Sequence, residues 1–176
     1  MKNDTDFTEL VTFTIAGQMF GLPIARVQDV FKPLRMTRVP LAGAEIAGVL
    51  NLRGRIVTAI DMRSRLAVKG REDGAAPMAV GIEARGESFG LLVDAVGEVL
   101  KLPDSQRESN PINLDRQLAA LSFGVYRLDG QLLVVLDIDR VLDLHGEASG
   151  RVTKRRRDMH ESDEEYEAGV PAEALE

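Results

Sequence analysis

The feature that most constrains the fold is a repeat. FGLPIARVQDV, from Phe20 to Val30, returns as FGLLVDAVGEV, from Phe89 to Val99, keeping Phe, Gly, Leu, the two later valines and an acidic residue next to last. GVLNLRGRIVTAIDMRSRL, from Gly48 to Leu66, returns as GVYRLDGQLLVVLDIDRVL, from Gly124 to Leu142, keeping Gly, Val, Leu, the turn Gly, the apolar run, Asp and the closing Leu. Two like-ordered halves of about seventy residues imply two copies of one small unit. Each copy is small for a core of its own, so two packed units are the economical solution.

The units read as β. Short apolar runs alternate with glycine-centred turns from Phe7 to about Leu144, as in IAGQMFG, LRGRI, ARGESFG and LDGQLLV. Among these turns, Asp129-Gly130 best suits a loop whose central residues need positive φ. No helical periodicity runs through a dozen residues. In both copies the last strand ends on an aspartate, Asp61 or Asp137, placed to accept hydrogen bonds from the first turn of a short helix. VKGREDGAAP, residues 68–77, reads as the linker between the copies, and QRESNPINLDRQ as an extra loop in the second. Beyond Leu144 the sequence is charged, poor in large apolar residues and split into basic and acidic blocks. Such a composition predicts a disordered tail over residues 146–176.

Composition excludes more than it assigns. With no cysteine, the 176-residue chain has no disulfides, thiolate nucleophiles or cysteine-ligated zinc, which leaves two histidines and the carboxylates for any metal. His145 and His160 lack partners at a motif spacing and read as surface residues. Asp137 and Asp139 share a strand face but offer too few ligands for calcium, so capping is preferred. The serines lie outside Gly-x-Ser-x-Gly, and no phosphate-cradling glycine motif is present. The expectation is therefore no catalytic residue, no metal and no cofactor. The net charge of -6 opposes a general phosphate-binding surface. No apolar run approaches the roughly 20 residues that span a bilayer, and MKNDTDFTEL is unlike a signal peptide, which predicts a cytoplasmic chain without membrane insertion.

Arg53 stands out because the other copy places Asp129 at the same turn position. Ends of opposite charge suit different partners, or the opposite end of a related barrel. The alternative is a small-barrel nucleic-acid binder using Arg53, Arg55 and the KRRR block, Lys154 to Arg157, although only 5% aromatic residues and no Trp disfavour stacking platforms. A hydrolase with an unrecognised site is a third reading.

FGLPIARVQDV, a proline before GVLNLRG, a strand closing on IDMRSRL and the central FGLLVDAV together resemble the CheW-type coupling proteins of bacterial chemotaxis, over Phe7 to about Leu144. The resemblance implies two interleaved five-stranded SH3-like β-barrel subdomains within residues 7–145. It also implies a non-enzymatic adaptor, recruited to membrane-associated receptor arrays, that joins the cytoplasmic tips of methyl-accepting chemoreceptors to the regulatory domain of a CheA-type histidine kinase. On the matching positions, Ile24, Val27, Asp29, Val30, Arg53, Val96 and Val99 would face the receptor. Asn51, Arg53 and Ile56 would face the kinase from the first barrel, and Asp129 with Leu132 from the second. The symmetric valines have a competing reading as core residues.

Overall fold

The computed structural model describes residues 6–70 and 74–144. The middle of the expected linker, both histidines, the KRRR block and the tail 146–176 lie outside these residues.

Ten strands and three short helices follow one another along the chain. The strands are β1 (Phe7–Ile15), β2 (Gln18–Pro23), β3 (Val27–Phe31), β4 (Ile46–Leu52), β5 (Arg55–Asp61), β6 (Met78–Ala84), β7 (Glu87–Val93), β8 (Ala95–Pro103), β9 (Ser122–Leu128) and β10 (Gln131–Leu136). The helices are α1 (Met62–Arg65), α2 (Arg116–Leu121) and α3 (Ile138–Leu142). Two five-stranded sheets result, in the orders β3-β6-β7-β5-β4 and β8-β1-β2-β10-β9. The repeat maps one order onto the other strand by strand, yet neither sheet is built from one half of the chain. Each half lends its first hairpin, β1-β2 or β6-β7, to the sheet that carries the other half's last three strands, and the seam is a parallel pairing, β10 with β2 or β5 with β7. Neither half can complete a sheet alone.

Both sheets close. After β3 the chain turns back, and Thr37 exchanges backbone bonds with Val49 of β4, 2.8 Å in each direction. After β8, Glu108 exchanges bonds of 2.8 and 2.9 Å with Val125 of β9. These contacts join the two edges of each sheet into a five-stranded barrel, here the first (β3 to β4) and the second (β8 to β9). A buried cluster of Leu50, Val57, Ala59, Ala79 and Leu92 fills part of the first, with Phe31 against it. In the second, Leu10, Tyr126, Leu133 and Val135 cluster, while on the opposite face of β1 and β2 Phe13 stacks on Phe20 with ring centres 6.0 Å apart.

The helices tie the barrels together. Asp61 accepts the Arg63 N–H at 3.0 Å and so caps α1, while Asp137 accepts from Asp139 N at 3.0 Å and Arg140 N at 3.3 Å at the start of α3. Arg65 of α1 donates to the Val141 and Arg140 carbonyls of α3, both at 2.9 Å. The loop read from QRESNPINLDRQ is shorter than the sequence suggested. Asp115 accepts the N–H groups of Gln117 at 2.8 Å and Leu118 at 3.3 Å, which starts α2 inside that stretch. The turns also depart from expectation at one place. Ala16-Gly17, Arg53-Gly54 and Arg85-Gly86 take positive φ at both central residues, but at Asp129-Gly130 only the glycine does.

Tyr126 is buried, and its hydroxyl finds no hydrogen-bond partner among the described residues. Desolvation, then the charge of Asp104, raises its pKa above the ordinary 10.0, with Arg107 acting in the opposite sense. An unsatisfied buried hydroxyl costs about 1 kcal/mol or more, so Tyr126→Phe is expected to leave stability unchanged or raise it by up to about 1 kcal/mol at pH 7. A raised folded pKa means that the stability linked to the neutral phenol is complete below pH 10 and is lost as pH climbs through the folded value. Urea unfolding from pH 7 to 11 should therefore show the variant's advantage growing at the alkaline end; a constant difference would contradict this.

Candidate interaction site

Asp29 and Arg53, the two charged positions singled out in the sequence, are brought together on the first barrel. Arg53 NH1 lies 3.4 Å from Asp29 Oδ2, and the other Asp29 oxygen accepts the Val30 N–H at 2.8 Å. The hairpin turn aims the arginine: Arg53 and Gly54 have φ of 52° and 84°, and the Asn51 side-chain oxygen accepts the Gly54 N–H at 2.9 Å. Asn51 thus has an architectural task that the sequence did not reveal, since it fixes the turn that presents Arg53.

Beside the pair is a cavity of about 220 Å³ lined by Phe31, Leu52, Val57 and Phe89, with Asp29 and Arg53 among its walls. The two copies differ in residues around this cavity. Where the second barrel has Thr12, Phe13 and Met19, the first has Gly81, Ile82 and Ser88. The Phe31 ring packs over Gly81 and Gly90, where a Cβ on either would lie 3.4 Å from it.

The remaining candidates fall in separate places. Val27, Asp29 and Val30 lie on β3 and Val96 and Val99 on β8, the terminal strands of the two sheet orders. Val30, Val99 and Ile24 are exposed, whereas Val27 and Val96 are half-buried. None of these four valines is in the buried core, so the core reading fails for them as a set. Ile56 is exposed on β5 and borders a different depression, with Arg55, Thr58 and Glu87. Asp129 and Leu132 sit at the β9-β10 turn of the other barrel. Of the arginines invoked for nucleic acid, Arg53 is engaged with Asp29. Asp137 and Asp139 are occupied in a cap and in ion pairs with Arg140 and Arg26, and no metal-binding cluster occurs among the described residues.

Two closed five-stranded barrels sharing exchanged hairpins define a double-barrel β domain. Residues 9–145 match the CheW-like domain, and the chain belongs to that family. A probable chemotaxis protein CheW from Rhizobium etli is 30% identical over 134 residues, 74% of this chain and 84% of the relative. The chemotaxis protein CheW of Bacillus subtilis is 27% identical over 135 residues, 77% of this chain and 86% of the relative. The crystal structure of the scaffolding protein TtCheW from Thermoanaerobacter tengcongensis matches with a TM-score of 0.70 at 27% identity, over 80% of this chain and 95% of that one.

Proposed function

We propose that the chain is a non-enzymatic adaptor that couples chemoreceptor tips to the regulatory domain of a CheA-type histidine kinase in membrane-associated arrays. The observation that carries this reading is the exposure of Ile24, Val30 and Val99, aliphatic residues at edge positions that the barrel cores do not use. With Val27 and Val96 they suit the apolar stripe of a receptor's helical hairpin, and Asp29 supplies register. Arg53, held out by Asn51, and Ile56 serve a kinase contact on the first barrel; Asp129 and Leu132 serve one on the second. Coupling requires both contacts at once, because only a kinase held beside the receptor can be biased by it.

Arg53→Glu tests this reading. An exposed pair at 3.4 Å is worth only about 0.5 kcal/mol, so circular dichroism and the unfolding midpoint should hardly change. Co-sedimentation with receptor-containing membranes and kinase should weaken about tenfold. The swap Asp29→Arg with Arg53→Glu restores the internal pair but not the surface seen by a partner. If the swap restores co-sedimentation, the pair is structural and the interface assignment is wrong.

A further inference from the structure

Three exposed apolar residues outside the proposed contacts, Phe7, Phe123 and Ile112, are covered by a cation or lie in neutral surroundings. Lys101 sits 5.2 Å over the Phe7 ring and Arg107 5.0 Å over that of Phe123. Ile112 stands out from a loop whose charges, Arg107, Glu108, Asp115 and Arg116, balance. The loop between β3 and β4 is different. From Lys32 to Ala44 it carries Lys32, Arg35 and Arg38 and no acid; Glu45 ends the run. None of these three cations has a carboxylate within ion-pair distance among the described residues. Leu34 and Met36 are exposed between them, and Val39 and Leu41 just after them.

The backbone of this loop is held in an unfavourable form. In the turn Val39-Pro40-Leu41-Ala42, closed by Ala42 N to Val39 O at 3.4 Å, Leu41 takes φ of 61°, where glycine is usual. Its side chain is fully exposed. Arg35 also has positive φ, 55°. Internal packing gives no reason for a leucine there, and the Thr37–Val49 bridge ties the middle of the loop to β4. Beside the turn a depression of about 470 Å³ is lined by Met36, Arg38, Val39, Ala42 and Ile46. Asp61 also reaches it, but its oxygens already accept from Arg63 N and the Ser64 hydroxyl.

We infer that the loop Lys32–Ala44 is a docking surface for an acidic amphipathic segment of a partner protein, with Leu41 as its apolar anchor and Lys32, Arg35 and Arg38 as carboxylate contacts. Charge decides the class of partner. The chain as a whole carries -6, which repels an extended anionic surface such as a membrane or nucleic acid. A short segment feels the local cations within about one Debye length, roughly 10 Å at 0.1 M salt. The surface begins at Lys32, beside β3, but Leu41 and its turn are none of the residues assigned to receptor or kinase, so the inference does not rest on those contacts.

The test uses the full chain and a labelled synthetic 16-residue amphipathic peptide with a leucine stripe flanked by glutamates, read by fluorescence anisotropy. Binding should weaken at least tenfold with Leu41→Asp, with the triple change Lys32→Glu, Arg35→Glu and Arg38→Glu, and with lysines replacing the peptide's glutamates. Leu41→Gly should weaken it at least fivefold while keeping an unfolding midpoint no lower than that of the unchanged chain, which separates lost anchoring from lost folding. Equal peptide binding by the Leu41→Asp variant, or no binding by the unchanged chain, overturns the inference. So would Leu41-dependent binding of phosphatidylglycerol vesicles or Leu41-dependent self-association in sedimentation, if either occurs without peptide binding.

Discussion

Replacing Gly48 with alanine is expected to open the first barrel. Gly48 lies under the segment that closes it, and a Cβ there would fall 2.4 Å from the Thr37 carbonyl oxygen and 2.8 Å from Met36 Cγ. That oxygen accepts the Val49 N–H at 2.8 Å, so the segment cannot move away without breaking both bonds of the closing bridge. Two backbone bonds at about 1 kcal/mol each, with overpacking of a further 1–3, give a loss of about 3–5 kcal/mol. A domain stable by about 5–15 kcal/mol would be left marginal or partly unfolded. The equivalent Gly124 provides the internal comparison. Its Cβ would come 2.9 Å from Glu108 O, the acceptor of the second barrel's closing bond, and 3.0 Å from the Arg107 side chain, which can shift, so the overlap is smaller and a loss of about 2–3 kcal/mol is expected. Gly54 has nothing within 4 Å and needs only its positive φ, so Gly54→Ala should cost about 1 kcal/mol. Urea denaturation of the three variants should give that order. A Gly48→Ala loss no larger than that of Gly54→Ala would mean that the Thr37 segment does not close the barrel.

The repeat made the two-sheet, mainly β architecture legible, and the capping aspartates Asp61 and Asp137 were legible because a cap is a local event. The exchange of hairpins was not legible in the residues themselves, and only the family resemblance implied interleaved barrels. When two copies share one pattern, β1-β2 has the same local reasons to pair within its own half as with the other, and the decision rests on crossover geometry that no residue spells out. Asn51 shows a related limit: an asparagine three residues before a glycine reads equally as a partner contact or a turn lock, and the Gly54 bond decides. Asp129-Gly130, the best-looking turn in sequence, is the one whose first central residue does not take positive φ. Around the cavity beside Arg53 the copies differ, Gly81 standing for Thr12 and Ser88 for Met19, but these positions lie upstream of the conserved segments and carry no signal by themselves.

The same comparison of copies identifies the joint between the barrels. Asp94 stands where the chain leaves β7 of the first barrel for β8 of the second. Its backbone N–H donates to Thr14 O at 2.9 Å, and its carboxylate accepts from Ala16 N at 2.8 Å, Arg63 Nε at 2.9 Å and Arg63 NH2 at 2.6 Å. Arg63 belongs to α1 after the first barrel's β5, and Ala16 to the β1-β2 turn of the second. One carboxylate therefore clasps both. At the repeat-related joint Asp139 replaces Arg63 and Ala25 replaces Asp94; the neighbouring Arg26 faces Asp139, but that pair is 3.9 Å apart with side chains 39% and 68% exposed. The Arg63–Asp94 side chains are only 17% and 22% exposed. Asp94→Ala removes a bidentate ion pair shielded from solvent and the acceptor of a backbone N–H, and should cost about 2–3 kcal/mol. Asp139→Ala should cost less than about 0.5 kcal/mol, since a long exposed pair is screened. Arg63→Ala should resemble Asp94→Ala, and the double variant should be more stable than the sum of the two losses predicts, with a coupling of about 1–2 kcal/mol. Chemical denaturation of the four chains in the cycle measures this. Additive losses would show that the two residues act separately and that the barrels are held by their buried faces and the α1–α3 bonds alone.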